Sequence, residues 1–142
     1  MNIANKVTFL IVDDDKVAVM SIQRALKKLR LLNPVEVAVD GQEALDRLRG
    51  ETEGEIVKPY IILLDLNMPR MDGFEFLEQV RKDWELQNSV IFVLTTSDAP
   101  KDIAAAYAHK IAGYIIKDDA FETVKSAISM LNAYTEIVAL ET

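Results

Sequence analysis

Cysteine is absent from all 142 residues, which excludes disulfides, thiolate nucleophiles and sulfur-ligated metals. Histidine occurs once, at position 109 in a helical segment, and reads as a surface residue near a helix C-terminus, not as a ligand. No apolar stretch approaches the roughly 20 residues needed to span a bilayer. The N-terminus lacks the basic-then-apolar pattern of a secretory signal. Basic charge is in deficit: 16 Lys and Arg face 23 Asp and Glu, for a net charge of -7. A surface this acidic repels phosphate backbones and anionic lipid, so neither nucleic acid nor membrane is expected as a partner. A cytoplasmic protein is the default. Repeats and low-complexity tracts are missing too. Half of the chain is apolar and 27% is charged, enough for one ordinary core. The expectation is a single domain over 1–142, with a core from about 7 to 134, a tail over 135–142 and no output domain.

What is present is a pair of apolar runs that end in carboxylates. Val7-Thr8-Phe9-Leu10-Ile11-Val12 leads into Asp13, Asp14 and Asp15, and Tyr60-Ile61-Ile62-Leu63-Leu64 leads into Asp65. Both are short and nearly continuous in apolar residues, the pattern of strands buried on both faces. Between them Ala18, Val19, Ile22, Ala25, Leu26 and Leu29 recur at helical spacing until Asn33-Pro34 breaks the helix. Val35 to Val39 alternates as a second strand, and Gly41 to Arg49 holds a short helix with Ala44, Leu45 and Leu48 inward. Gly50 to Pro59 is the one long loop. Asp72 is placed to cap a third helix, whose apolar stripe is Phe74, Leu77, Val80 and Trp84. Val90 to Leu94 is a fourth strand closed by Thr95 and Thr96. A helix rich in small residues follows over Lys101 to His109. Gly113 to Ile116 is a fifth strand ending at Lys117, and the last helix carries Phe121, Val124, Ile128, Leu131 and Thr135.

Five strands alternating with five helices predict an α/β fold: a doubly wound, flavodoxin-like parallel sheet in the order 2-1-3-4-5. Ligands of such sheets sit beyond the carboxyl ends of the strands, at the point where the strand order reverses, between strands one and three. Acids end those two strands, hydroxyls end strand four and an amine ends strand five. Several carboxylates this close cannot all ionise unaided, so the site calls for a cation. Asp15 reads as the cap of the first helix. The loop after strand one lacks the Gly, Ser or Thr that would cradle a flavin phosphate.

The segments FLIVDDD at 9–15, IILLDLNMPRMDG at 61–73, VLTTS at 93–97 and GYIIK at 113–117 stand in order along nearly the whole chain. In these it resembles the two-component response-regulator receiver family. The longer loop before strand three and the VLTTS segment are similar to single-domain receivers paired with bacterial phytochrome-type histidine kinases. The resemblance implies that Asp65 is the phosphoacceptor. It implies that Asp13, Asp14, Asp65 and the carbonyl of Asn67 hold Mg²⁺. Thr95 and Tyr114 then correspond to the switch pair, Thr96 to a neighbouring hydroxyl, and Lys117 to the phosphate-binding lysine. A hard cation that keeps several waters suits such an oxygen set, and carboxylates do form acyl phosphates.

One departure from the family pattern is Asp118, where receivers usually have proline. A cis bond before a non-proline residue costs roughly 2.5–4 kcal/mol, so a trans Lys117–Asp118 bond is expected, with Asp119 to Glu122 as a capping box for the last helix. Two other functions compete with the switch. A small Mg²⁺-dependent phosphohydrolase would need a cap domain for which the chain has no room, and a phosphate-independent interaction module would not need the full acid set. Alanines dominating the fourth helix, with Met130, Tyr134 and Ile137 outside a single core stripe, suggest a homodimer.

Overall fold

The computed structural model describes residues 7–117, 121–137 and 140, with side chains of 121–124 and 135–137 excepted. Five strands, β1 (Thr8–Val12), β2 (Val35–Ala38), β3 (Tyr60–Leu64), β4 (Val90–Thr95) and β5 (Gly113–Ile116), alternate with five helices. The helices are α1 (Lys16–Lys28), α2 (Gly41–Leu48), α3 (Gly73–Lys82), α4 (Pro100–Ala108) and α5 (Phe121–Ile137). The strands form one sheet in the order β2-β1-β3-β4-β5, all parallel, as the alternation predicts.

Period-two alternation along each strand sorts the core into two layers. Leu10, Val12, Ile62, Leu64, Ile91 and Val93 face Ala44, Leu45, Phe76, Leu77, Val80 and Ala106 of α2, α3 and α4. Phe9, Ile11, Ile61, Leu63, Phe92 and Leu94 face Val19, Ile22, Ala25, Leu26, Ile128 and Leu131 of α1 and α5. Phe76 is fully buried, and truncating such a ring to alanine typically costs about 3–5 kcal/mol. Tyr134 belongs to this core, its ring edge-on to Phe92 at 5.2 Å and 89°. α5 continues through Ile137, past the expected core boundary at 134, and Leu140 packs back on the second layer.

Helix ends follow local chemistry. Asp15 caps α1 by accepting from the amides of Val17 and Ala18. Asp72 and Glu75 form a reciprocal capping box on α3. α1 stops at Lys28, before the Asn33-Pro34 break: Leu31 N donates back to Leu26 O, and Arg30 takes the left-handed φ of 59° that glycine usually supplies. Trp84 is not part of the α3 stripe. The helix ends at Lys82, Asp83 is extended, and Trp84 stands 86% exposed on the following turn while Leu86 fills the core position. His109 is the C-cap of α4, and its carbonyl accepts from Arg81 Nε at 2.7 Å. The Lys117–Asp118 bond and the capping box beginning at Asp119 lie outside the described residues.

Candidate functional site

The pairing of β1 with both β2 and β3 fixes where the acids meet. Val12 is in register with Ala38 on one side and Leu64 on the other. The next residue on each strand is therefore tied laterally: Asp13 N donates to Ala38 O at 3.0 Å and Asp65 N to Val12 O at 2.9 Å. Carboxylate oxygens of Asp13, Asp14 and Asp65 come within 4.8 Å of one another. Asp13 and Asp65 are buried and Asp14 is exposed. The Asp13 Oδ1 accepts from Asp15 N at 2.9 Å, and Asp65 Oδ1 accepts from Leu66 N at 2.9 Å. Burial pushes the Asp13 carboxyl above its ordinary range, against the opposing pull of the Asp15 amide and of Lys117.

Lys117 reaches into this cluster from the end of β5. Its amide donates to Thr95 O, and its Nζ lies 3.0 Å from Asp13 Oδ2, forming a largely desolvated ion pair. Next to it, Thr95 ends β4 with no exposed surface. Among the described residues, its Oγ1 is the one buried side-chain polar atom without a hydrogen-bond partner. A hydroxyl left so costs about 1–3 kcal/mol. Thr96, in contrast, is exposed. The Tyr114 hydroxyl donates to Ser97 O at 2.8 Å, tying β5 to the β4–α4 loop. Burial raises the Tyr114 phenol, helped by Asp102 and Asp65 and opposed by the Ser97 contact, so the hydroxyl stays protonated and able to donate.

Three further residues take roles that their sequence context does not show, Gly73 reading there only as turn chemistry beside Asp72. Ser97 Oγ donates to Asp102 Oδ2 at 2.6 Å and accepts from Ala99 N at 3.4 Å, which supplies the start of α4 with a polar tie that its cap residue Ala99 cannot give. Asp40 caps α2 and accepts from Arg70 Nε at 2.7 Å. The available signal was the Asp40-Gly41 pair before an apolar helix, which marks the cap but not its distant cation. Gly73 closes the loop after Asp65: its amide donates to Leu66 O, and a Cβ there would lie 2.6 Å from Leu66 Cα and 2.7 Å from Asp65 O.

Three converging carboxylates with no nitrogen or sulfur ligand form a hard oxygen set, which fits Mg²⁺ or Mn²⁺. The exposed Asn67 follows on the loop leaving β3, two residues after Asp65.

A parallel 2-1-3-4-5 sheet with acids, a buried hydroxyl and a lysine at its carboxyl edge defines a receiver. The chain matches the response regulator receiver domain family over residues 9–129 and belongs to it. It is 35% identical over 125 residues to the probable methanogenesis regulatory protein FilR2 of Methanothrix harundinacea, covering 88% of this chain and 81% of FilR2. The phosphorylated cyanobacterial phytochrome response regulator RcpA superimposes with a TM-score of 0.87 at 29% identity, covering 96% of this chain and 99% of RcpA. The Mn²⁺-bound form of the response regulator Rcp1, of Synechocystis, gives a TM-score of 0.84 at 28% identity, with 96% and 99% covered. The protein is thus a receiver domain of two-component signalling, a class that acts as a switch and binds divalent metal at its acidic pocket. None of the described helices is long and apolar enough to cross a membrane.

Proposed function

We propose that this protein is a phosphoacceptor switch in which Asp65 takes a phosphoryl group from a histidine kinase in the presence of Mg²⁺. The observation that carries this reading is the buried, unpartnered Thr95 hydroxyl beside three carboxylates and a lysine. A buried hydroxyl with no protein partner among the described residues is accounted for by a ligand it meets only part of the time. Asp13, Asp14, Asp65 and the Asn67 carbonyl would hold the cation, which when bound neutralises charge on the transferring phosphoryl oxygens.

An Asp65 carboxylate oxygen attacks phosphorus, the bond from phosphorus to the donor nitrogen breaks, and the imidazole leaves with its electron pair. Lys117 releases Asp13 and pairs with a phosphoryl oxygen. Thr95 donates its free hydroxyl to another, with Thr96 at the exposed rim. This inward step pulls on the β4–α4 loop, whose Ser97 carbonyl already holds Tyr114. Phosphorylation adds a nearly doubly charged group, and the loop can respond only through such differential contacts.

The likeness to RcpA, a phytochrome response regulator, supports a phytochrome-type kinase as donor. Exposed Tyr107, Ile116 and Met130 support a homodimer through the α4, β5 and α5 side. The acidic charge argues for protein partners and against nucleic acid, and a cytoplasmic location fits signalling from a histidine kinase. The test is an amide-shift titration with Mg²⁺, followed by an excess of acetyl phosphate with product phosphate counted. A response lost in Asp14→Ala, and phosphorylation saturating near one group per chain, are expected. Steady turnover of many phosphate esters, or no response to Mg²⁺, would overturn the reading. Light scattering that returns a monomer with and without phosphate would dismiss the dimer.

A further inference from the structure

We infer that Asp40 and Arg70 form a clamp that positions the β3–α3 loop for cation binding and phosphoryl transfer at Asp65. The inference rests on the switch reading above and assigns two positioning residues to it. Asp40 is a charged residue only 3% exposed, far from the acid cluster in sequence, and its two oxygens serve different elements. The Oδ1 accepts from Glu43 N at 2.9 Å and caps α2. The Oδ2 accepts from Arg70 Nε at 2.7 Å across thirty positions of sequence.

Arg70 itself needs holding. Its backbone sits at φ 61°, a region that residues with a Cβ enter at a cost, and its side chain is 64% exposed, so burial does not fix it. Strained conformations persist where the surroundings over-determine them. Here the surroundings are few and identifiable: the Asp40 ion pair, Gly41 N donating to Met71 O at 3.1 Å, and Gly73 N donating to Leu66 O at 2.9 Å.

These contacts close a circuit around the acids. Asp13 N hangs on Ala38 O, two residues before Asp40, and Asp65 N hangs on Val12 O, the residue before Asp13. The loop leaving Asp65 returns to the β2 end through Arg70 and Asp40, with Asn67 lying between the two anchors. The clamp therefore sets the path of the segment whose carbonyl would complete the metal ligands. Groups that only orient ligands commonly change metal affinity about 10- to 100-fold when removed.

Three variants separate the clamp from its alternatives. Asp40→Asn keeps a capping oxygen for α2 but loses the charge. Arg70→Gly relieves the φ strain while removing the guanidinium, and Arg70→Lys keeps a cation. Mg²⁺ dissociation constants come from amide-shift titration, loop order from amide hydrogen exchange of residues 66–71 without metal, and labelling rates from acetyl phosphate. Asp40→Asn and Arg70→Gly should each speed loop exchange and weaken Mg²⁺ about 10-fold. The double variant should be no worse than either single, and Arg70→Lys should recover most of the affinity. Wild-type exchange and affinity in Arg70→Gly would overturn the clamp, as would fully additive losses in the double variant. A wild type that neither binds Mg²⁺ nor takes phosphate, with the loop still loosened in the variants, would instead overturn the switch reading and leave the clamp purely structural.

Discussion

Replacing Lys117 with methionine should destabilise the metal-free protein and tighten its hold on Mg²⁺. In the free protein Nζ lies 3.0 Å from Asp13 Oδ2, and the two side chains are 10% and 3% exposed. Unit charges about 4 Å apart attract by about 4 kcal/mol at an effective dielectric of 20. The loss also has a ceiling, because a stranded Asp13 can protonate. From an ordinary 3.8 to pH 7 that costs about 4 kcal/mol at 1.36 kcal/mol per pH unit, and less here because burial already raises this carboxyl. A loss of about 2–3 kcal/mol follows, or about 8 °C in Tm for a chain of this size. The lysine also competes with a cation for Asp13, so its removal should strengthen Mg²⁺ binding while slowing phosphorylation. Far-UV circular dichroism melts in EDTA and in saturating Mg²⁺ give both quantities. The variant should melt lower in EDTA and gain more than wild type on adding Mg²⁺. Equal melts in EDTA, or a smaller gain, would refute the competition.

Thr95→Val keeps the buried volume and removes the orphaned hydroxyl, so it should gain about 1 kcal/mol by urea unfolding. It should still accept phosphate at Asp65, yet its amide shifts over residues 95–117 should respond far less; an undiminished response would sink the Thr95 relay. Gly73→Ala drives a Cβ against Leu66 and the Asp65 carbonyl; it should lose about 1–3 kcal/mol and slow phosphorylation, and wild-type stability would show that the loop yields freely. Burial alone would raise Asp40, but Arg70 and the Glu43 amide outweigh it and hold the carboxyl below 3.8. A depressed folded value means stability fully present above 3.8 and lost as pH falls through that lower folded value. The stability gap between wild type and Asp40→Asn should thus be full near neutrality and close below pH 3.8, and a gap constant across that range would remove Asp40 as its source.

The sheet was legible in the sequence because its strands are buried on both faces and so appear as short apolar runs with polar stops. Those stops, Asp13, Asp65, Thr95 and Lys117, are brought to one edge because parallel strands all end on the same side. Helix ends were less legible. Arg30 and Lys110 adopt the positive φ where a glycine would have signalled the end, and Trp84 kept the helical spacing two positions beyond the last helical residue. Asp40 with Arg70, and Ser97 with Tyr114, were missed for another reason. Each joins segments separated by 30 or 17 positions through single hydrogen bonds, which leave no periodic trace.

In the proposed mechanism Asp65 is the group that carries the phosphoryl. Intact mass spectrometry of the wild type and Asp65→Asn, each incubated with Mg²⁺ and acetyl phosphate, tests it most directly. One added phosphoryl is expected on the wild type, abolished by EDTA, and none on Asp65→Asn. Equal labelling of the two proteins, or no labelling of the wild type with Mg²⁺ bound, would contradict it.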